Sequence, residues 1–139
     1  MKELNFETGL VTYKLNGTVD VSFNPTDSNF VKRLFDGYET LDKKQGYYKE
    51  RVEKEADKAK IFEFAREQDA EMREIIDGLF ETPVCDALFG NMNVYAMANG
   101  LPVWCNLMFA VMDEIDTGFA REQKATNPRL EAYRKKYQR

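Results

Sequence analysis

PVWCNLMFAVMDEIDTGF, residues 102–119, decides the fold class. Val103, Trp104, Leu107, Met108, Val111, Met112, Ile115 and Phe119 recur at steps of one, three and four, which places them on one face of an α-helix. Cys105, Phe109 and Ala110 widen that stripe, so this helix is expected to be the central one. Pro102 suits its first position, where the missing N–H costs nothing. Each large side chain buried on such a face contributes about 1.5–3 kcal/mol.

Upstream of this helix, Thr82-Pro83 reads as another helix start, with Thr82 as N-cap and Pro83 in the first turn. Val84, Cys85, Ala87, Leu88 and Phe89 then form a short apolar helix, closed by Gly90. Residues 91–100, NMNVYAMANG, read as a connector that ends at Asn99-Gly100.

At the other end of the chain, Leu10 to Leu15 and Thr18 to Phe23 flank Asn16-Gly17. Asn-Gly supplies the two positive φ angles of a type I′ turn, a strong hairpin signal. Val19, Val21 and Phe23 share one side of the second strand and are expected to be buried on helices, because a lone hairpin is marginal in water. Pro25 stops the ladder, and Thr26 or Asp27 can cap a helix. Phe30, Val31, Leu34, Phe35, Tyr38 and Leu41 make that helix amphipathic over about residues 27–44, with a break expected at Gly46.

Residues 47–78 contain no Pro and, before Gly78, no Gly. As one helix they would span about 45 Å, against a radius of gyration of about 14 Å for a compact chain of this length. A helix that projects, or that packs on another subunit, is expected here in preference to one that breaks.

The expected fold is therefore mostly α, of the α+β class, with an N-terminal β-hairpin (4–23) packed on a bundle of four to five helices. Residues 1–125 form a single domain and 126–139 a basic C-terminal tail. The expected core holds Phe30, Leu34, Phe35, Ile76, Leu79, Val84, Leu88, Trp104, Leu107, Met108, Val111 and Ile115.

The chain has 139 residues and no histidine. That removes the commonest general base and metal ligand, and with them Ser-His-Asp and Cys-His arrangements. Cys85 and Cys105 sit in apolar runs and read as buried thiols in a reducing compartment, not as a disulfide framework. Two cysteines do not make a zinc site, and the eight glycines form neither GxGxxG nor a P-loop. Asp113, Glu114 and Asp116 cluster on the central helix; a solvated helix face explains them better than a metal site. No catalytic residue, cofactor or metal is expected, and the chain reads as a binding or assembly protein.

MKELNFETG at the start has two acids and no apolar core of a signal peptide. The longest apolar stretch, 101–112, falls short of the roughly 20 residues a membrane span needs. A cytoplasmic protein with no membrane partner is expected.

Residues 126–139 carry five bases against one acid, a balance of +4 within a chain of net −4, so the rest carries −8. Tyr133 and Tyr137 interleave with Arg134, Lys135 and Lys136, which could stack on bases and neutralise phosphate. One short basic segment on an acidic body is narrower than a nucleic-acid-binding face, so a solvated tail, or one that docks on an acidic partner, is the better reading. The candidate partner-binding residues are Arg129, Tyr133, Arg134, Lys135, Lys136 and Tyr137 in the tail, with Met92, Tyr95 and Met97 in the connector. Met and aromatic side chains re-pack readily around another protein's apolar segment.

Two stretches carry a resemblance: VTYKLNGTVDVSFNPTDSNFVKRLFDGYETLD (11–42) and ETPVCDALFGNMNVYAMANGLPVWCNLMFAVMDEIDTGF (81–119), followed by the basic C-terminus. Together they resemble tail assembly chaperones encoded by phages and prophages of Gram-positive bacteria. The resemblance implies a non-enzymatic helical protein of the bacterial host cytoplasm. It implies binding to the tape measure protein, recruitment of tail tube protein, and self-association into a homo-oligomer. The alternative is a structural virion or tail component, or another protein-interaction module.

Overall fold

A computed structural model describes residues 1–137; Arg139 of the basic tail lies outside the described residues. β1 (Val11–Leu15) and β2 (Val19–Phe23) form the expected antiparallel hairpin, with Tyr13 opposite Val21, but it starts at Val11, and residues 4–10 form no strand. Asn16 and Gly17 take φ 47° and 70°, and the Thr18 N–H closes the turn on the Leu15 carbonyl at 3.0 Å. Val21 and Phe23 are buried. Phe23 stacks between Tyr13 and Phe30 at 4.5 and 4.3 Å, and the Tyr13 hydroxyl donates to Glu114 Oε1 at 2.9 Å. The hairpin is thereby tied to the helices by its aromatic face.

α1 (Ser28–Lys54) starts at Asp27, whose carboxylate accepts from the Asn29 N–H at 3.0 Å. It runs straight through Gly46, against the expected break. A mid-helix glycine costs only about 1 kcal/mol relative to alanine. The next turn recovers this by packing: Tyr48 stacks on Tyr95 at 3.9 Å and Tyr47 meets Phe64 edge-on at 5.5 Å.

The long charged helix expected over 47–78 is broken instead. The chain turns at residues 55–57, and α2 (Lys58–Phe80) begins at Asp57, whose carboxylate accepts from the Ala59 N–H at 3.0 Å. α2 lies back along α1 in the antiparallel sense, joined by Lys44–Glu71 at 2.8 Å and Arg33–Glu81 at 3.4 Å. Buried Leu34, Leu41, Met72 and Ile76 supply the adhesion between them. The two helices approach closely at Gly37, where a Cβ would stand 2.5 Å from a methyl of Leu79. Gly37→Ala should therefore destabilise the protein by about 1–3 kcal/mol through overpacking, although alanine is the better helix former. A denaturant titration that finds the variant more stable would contradict this close approach.

α3 (Cys85–Phe89) begins later than Thr82-Pro83 suggests. Asp77 of α2 takes over the capping: its Oδ1 accepts from the Val84 and Cys85 N–H groups at 2.8 and 2.9 Å. The connector is more ordered than expected. β3 (Met97–Ala98) pairs with β4 (Leu101–Pro102) around Asn99 and Gly100, at φ 55° and 78°. This is a second positive-φ Asn-Gly turn.

α4 (Val103–Lys124) follows directly and is the central helix. Trp104, Cys105, Met108, Val111 and Ile115 are buried. Of the expected core, Leu88 and Leu107 are half-buried, and Phe35 is 46% exposed. Phe35 follows Leu34 by 100° around α1, and Leu34 takes the inward position. Phe119, at the far end of the α4 stripe, is 41% exposed. α5 (Pro128–Tyr137) closes the described chain, with no buried residue. Among the described residues no helix is long and apolar enough to cross a membrane.

Candidate binding face

α2 holds the connector through its polar side chains. Arg73 reaches four acceptors: Asp69 Oδ2 at 3.0 Å, Asp86 Oδ1 at 2.8 Å, and the carbonyls of Gly90 and Met92 at 2.8 and 2.7 Å. A planar guanidinium presents its donors in a fixed fork and suits such a hub. The other Asp69 oxygen accepts from the Val94 N–H at 2.8 Å, and Asn93 Nδ2 donates to the Ala65 carbonyl at 3.0 Å. Val94 is fully buried, and its carbonyl accepts from the Trp104 N–H at 3.3 Å. The connector is thus fixed to both α2 and α4.

This anchoring decides which side chains reach solvent. Met92 and Met97 are 51% and 64% exposed, as a partner-binding role requires. Tyr95 is only 7% exposed and stacks on Tyr48, and burial pushes its phenol well above the ordinary value; it forms part of the lining of the groove beside the connector. It supports the face from below. Trp104 and Met108, in the same Met and aromatic stripe, are core.

A groove of about 490 Å³ opens beside the connector, lined by Tyr48, Phe62, Ala65, Arg66, Asn93 and Ala96 among others. Met92 and Met97 each stand next in sequence to a lining residue. Phe62 is 72% exposed and is the residue that sequence reasoning did not single out. Its signal was present: residues two apart lie on opposite sides of a helix, and Phe64 is the one that packs against Tyr47 and Tyr48. The groove is half polar, and its apolar side chains sit on a frame fixed by Arg73, Asp69 and Asn93.

The tail candidates share one helix. Asn127 caps α5 by accepting from the Arg129 N–H at 2.9 Å, and Pro128 occupies the first turn. Tyr133 stacks on Tyr137 at 5.9 Å, with Arg129 over the first ring at 5.9 Å and Lys136 over the second at 5.4 Å. Arg129, Tyr133, Arg134, Lys135, Lys136 and Tyr137 are all exposed.

The titratable groups of the interior are tuned away from reactivity. Burial, with Asp77 nearby, pushes the Cys85 thiol far up, and burial with Asp42 raises Cys105 to about 11. A thiol held protonated is a poor nucleophile. In the acidic cluster of α4, Glu114 accepts from Tyr13, while Asp113 and Asp116 face solvent. Among the described residues no group of three or more acidic or cysteine side chains is placed to hold a metal ion.

No family model, curated protein or solved structure matches this chain.

Proposed function

We propose that this chain is a non-enzymatic tail assembly chaperone, acting in the cytoplasm of a bacterial host. In this reading it holds an apolar helical segment of a phage tape measure protein and presents it to tail tube subunits. The observation that carries the reading is the 490 Å³ groove lined by exposed Phe62, with exposed Met92 and Met97 next in sequence to its lining residues Asn91, Asn93 and Ala96. Three large apolar side chains stand well exposed beside a frame held by the hydrogen bonds of Arg73, Asp69 and Asn93. Two methionines and a phenylalanine suit an irregular helical partner, because thioether chains adapt to it. The half-polar lining and Arg66 keep the empty face soluble. The resemblance in residues 11–42 and 81–119 supplies the identity of the partner.

The test is binding of a labelled peptide from an apolar helical segment of the tape measure protein, followed by fluorescence anisotropy. Phe62→Asp combined with Met97→Asp should weaken binding at least tenfold, since each inserts a charge where an apolar anchor docks. Both side chains are exposed, so far-UV circular dichroism should be unchanged. Equal affinity of the double variant and the parent would remove the face from consideration.

A further inference from the structure

We propose that Met92 and Met97 are the peroxide-sensitive sulfurs of this chain, and that their conversion to sulfoxides switches off the face beside Phe62. The switch rests on the binding role proposed above; the site of oxidation does not. The chain has six methionines and two cysteines. Met72 and Met108 are fully buried and Met112 is half-buried, whereas Met92 and Met97 stand well exposed. Met1 is exposed as well but does not line the groove.

Thiols are ordinarily the first sulfurs to react with a peroxide, because their thiolates are strong nucleophiles. Here both are shielded. Cys85 has no exposed surface and Cys105 almost none. Burial raises both thiols, Cys105 to about 11, so neither supplies thiolate at neutral pH. The Cys85 thiol is also engaged with the Arg73 carbonyl, 3.8 Å away. The usual order is therefore reversed, and the exposed thioethers react first.

The reaction needs only the peroxide. A sulfur lone pair attacks one peroxide oxygen, so that an S–O bond forms and the O–O bond breaks. The departing hydroxide takes the proton of the new S–OH group and leaves as water. Sulfur loses two electrons and the peroxide gains them. The fold around both residues survives the change. The Met92 N–H donates to the Phe89 carbonyl at 2.8 Å, and the Met92 carbonyl accepts from Arg73 at 2.7 Å. Met97 lies in β3, paired with Pro102 of β4. Backbone contacts thus hold both residues while their side chains reach solvent. A sulfoxide turns a flexible apolar chain into a polar one, which removes two of the three large apolar side chains of the face.

The test treats the full chain with hydrogen peroxide and maps oxidation by mass spectrometry of its peptides. Sulfoxide is expected at Met92 and Met97, with Met72, Met108 and both thiols intact and circular dichroism unchanged. Binding of the labelled tape measure peptide should weaken about tenfold and return after treatment with methionine sulfoxide reductase. Met92→Leu combined with Met97→Leu conserves volume and has no sulfur at either position, so its affinity should be the same before and after peroxide. Oxidation of either cysteine ahead of Met92 and Met97 overturns the proposal, as does oxidation of Met72 or Met108 at a similar rate. Equal affinity of the oxidised and untreated parent overturns the switch, as does a loss that persists in the leucine variant. An untreated parent that does not bind the peptide removes the binding reading and the switch with it, while the oxidation map stands by itself.

Discussion

Trp104→Ala is expected to lower the unfolding free energy by about 3–5 kcal/mol. A small domain has about 5–15 kcal/mol in all, so this variant should lose a large share of its stability. Trp104 is fully buried near the start of α4 and packs on Tyr38 of α1 at 5.8 Å. Its indole N–H donates to Gln45 Oε1 at 2.8 Å, across 59 residues of sequence. Alanine would leave a cavity between α4 and α1 and would strip the Gln45 amide of its donor. Trp104→Phe keeps most of the volume and should lose less, about 1–3 kcal/mol for the orphaned partner and the imperfect fit. Urea titration followed by circular dichroism checks both. A loss below about 1.5 kcal/mol for the alanine variant would show that α4 is not the centre of the core, since cavity-forming substitutions there cost 3 kcal/mol or more.

The second large effect is expected at Arg73. Its side chain is 15% exposed and that of Asp69 is 18% exposed, so this pair is largely shielded from water. Removing one partner of such a pair leaves an uncompensated charge, at a cost of about 3–5 kcal/mol. Arg73→Ala would also release the carbonyls of Gly90 and Met92. Arg73→Lys should rescue little, because an ammonium cannot serve four acceptors in the geometry of a fork. The effect should be local before it is global. The Val94 N–H, held by Asp69, should exchange with solvent much faster in Arg73→Ala, while the amides of the β1–β2 hairpin keep their protection. Unchanged exchange at Val94 would show that the connector is held by its apolar contacts alone.

Much of the architecture was legible in the residues. Asn16-Gly17 marked the first hairpin, and the stripe from Val103 to Ile115 marked the central helix. Asn99-Gly100 carries the same turn chemistry. It was read as a stop because Met97-Ala98 and Leu101-Pro102 are too short to show alternation, and only the pairing on the template of α2 and α4 makes them strands. Gly46 read as a break because its cost is local, whereas the recovery comes from Tyr95, 49 positions away. Asp57 went unnoticed because a capping aspartate looks like any other acid in EKEADKAK (53–60). Without that break, residues 47–78 read as a projecting rod instead of the second arm of a helical hairpin. Thr82 lost its capping role to Asp77, which a chain reversal brings within reach and no local rule could name.

The binding face was half legible. Met92 and Met97 stand exposed, as their place in a polar connector suggested. Tyr95 sits between them in sequence and turns inward, with Asp69 holding the Val94 N–H and Asn93 holding its own. Phe62 was hidden within an apolar stripe until the path of α2 showed which side met α1. The tail was legible as a charged segment, but its apolar stripe of Leu130, Tyr133 and Tyr137 emerged only once Pro128–Tyr137 was seen as a helix.

The central claim is that this chain holds a tape measure protein through an exposed Met and Phe face. Co-expression of the tagged chain with a phage tape measure protein, followed by size exclusion with light scattering, tests this most directly. The account predicts a soluble complex that co-elutes, with a mass that gives the stoichiometry, and its loss in the Phe62→Asp, Met97→Asp variant. An insoluble tape measure protein, with this chain eluting by itself, would contradict it.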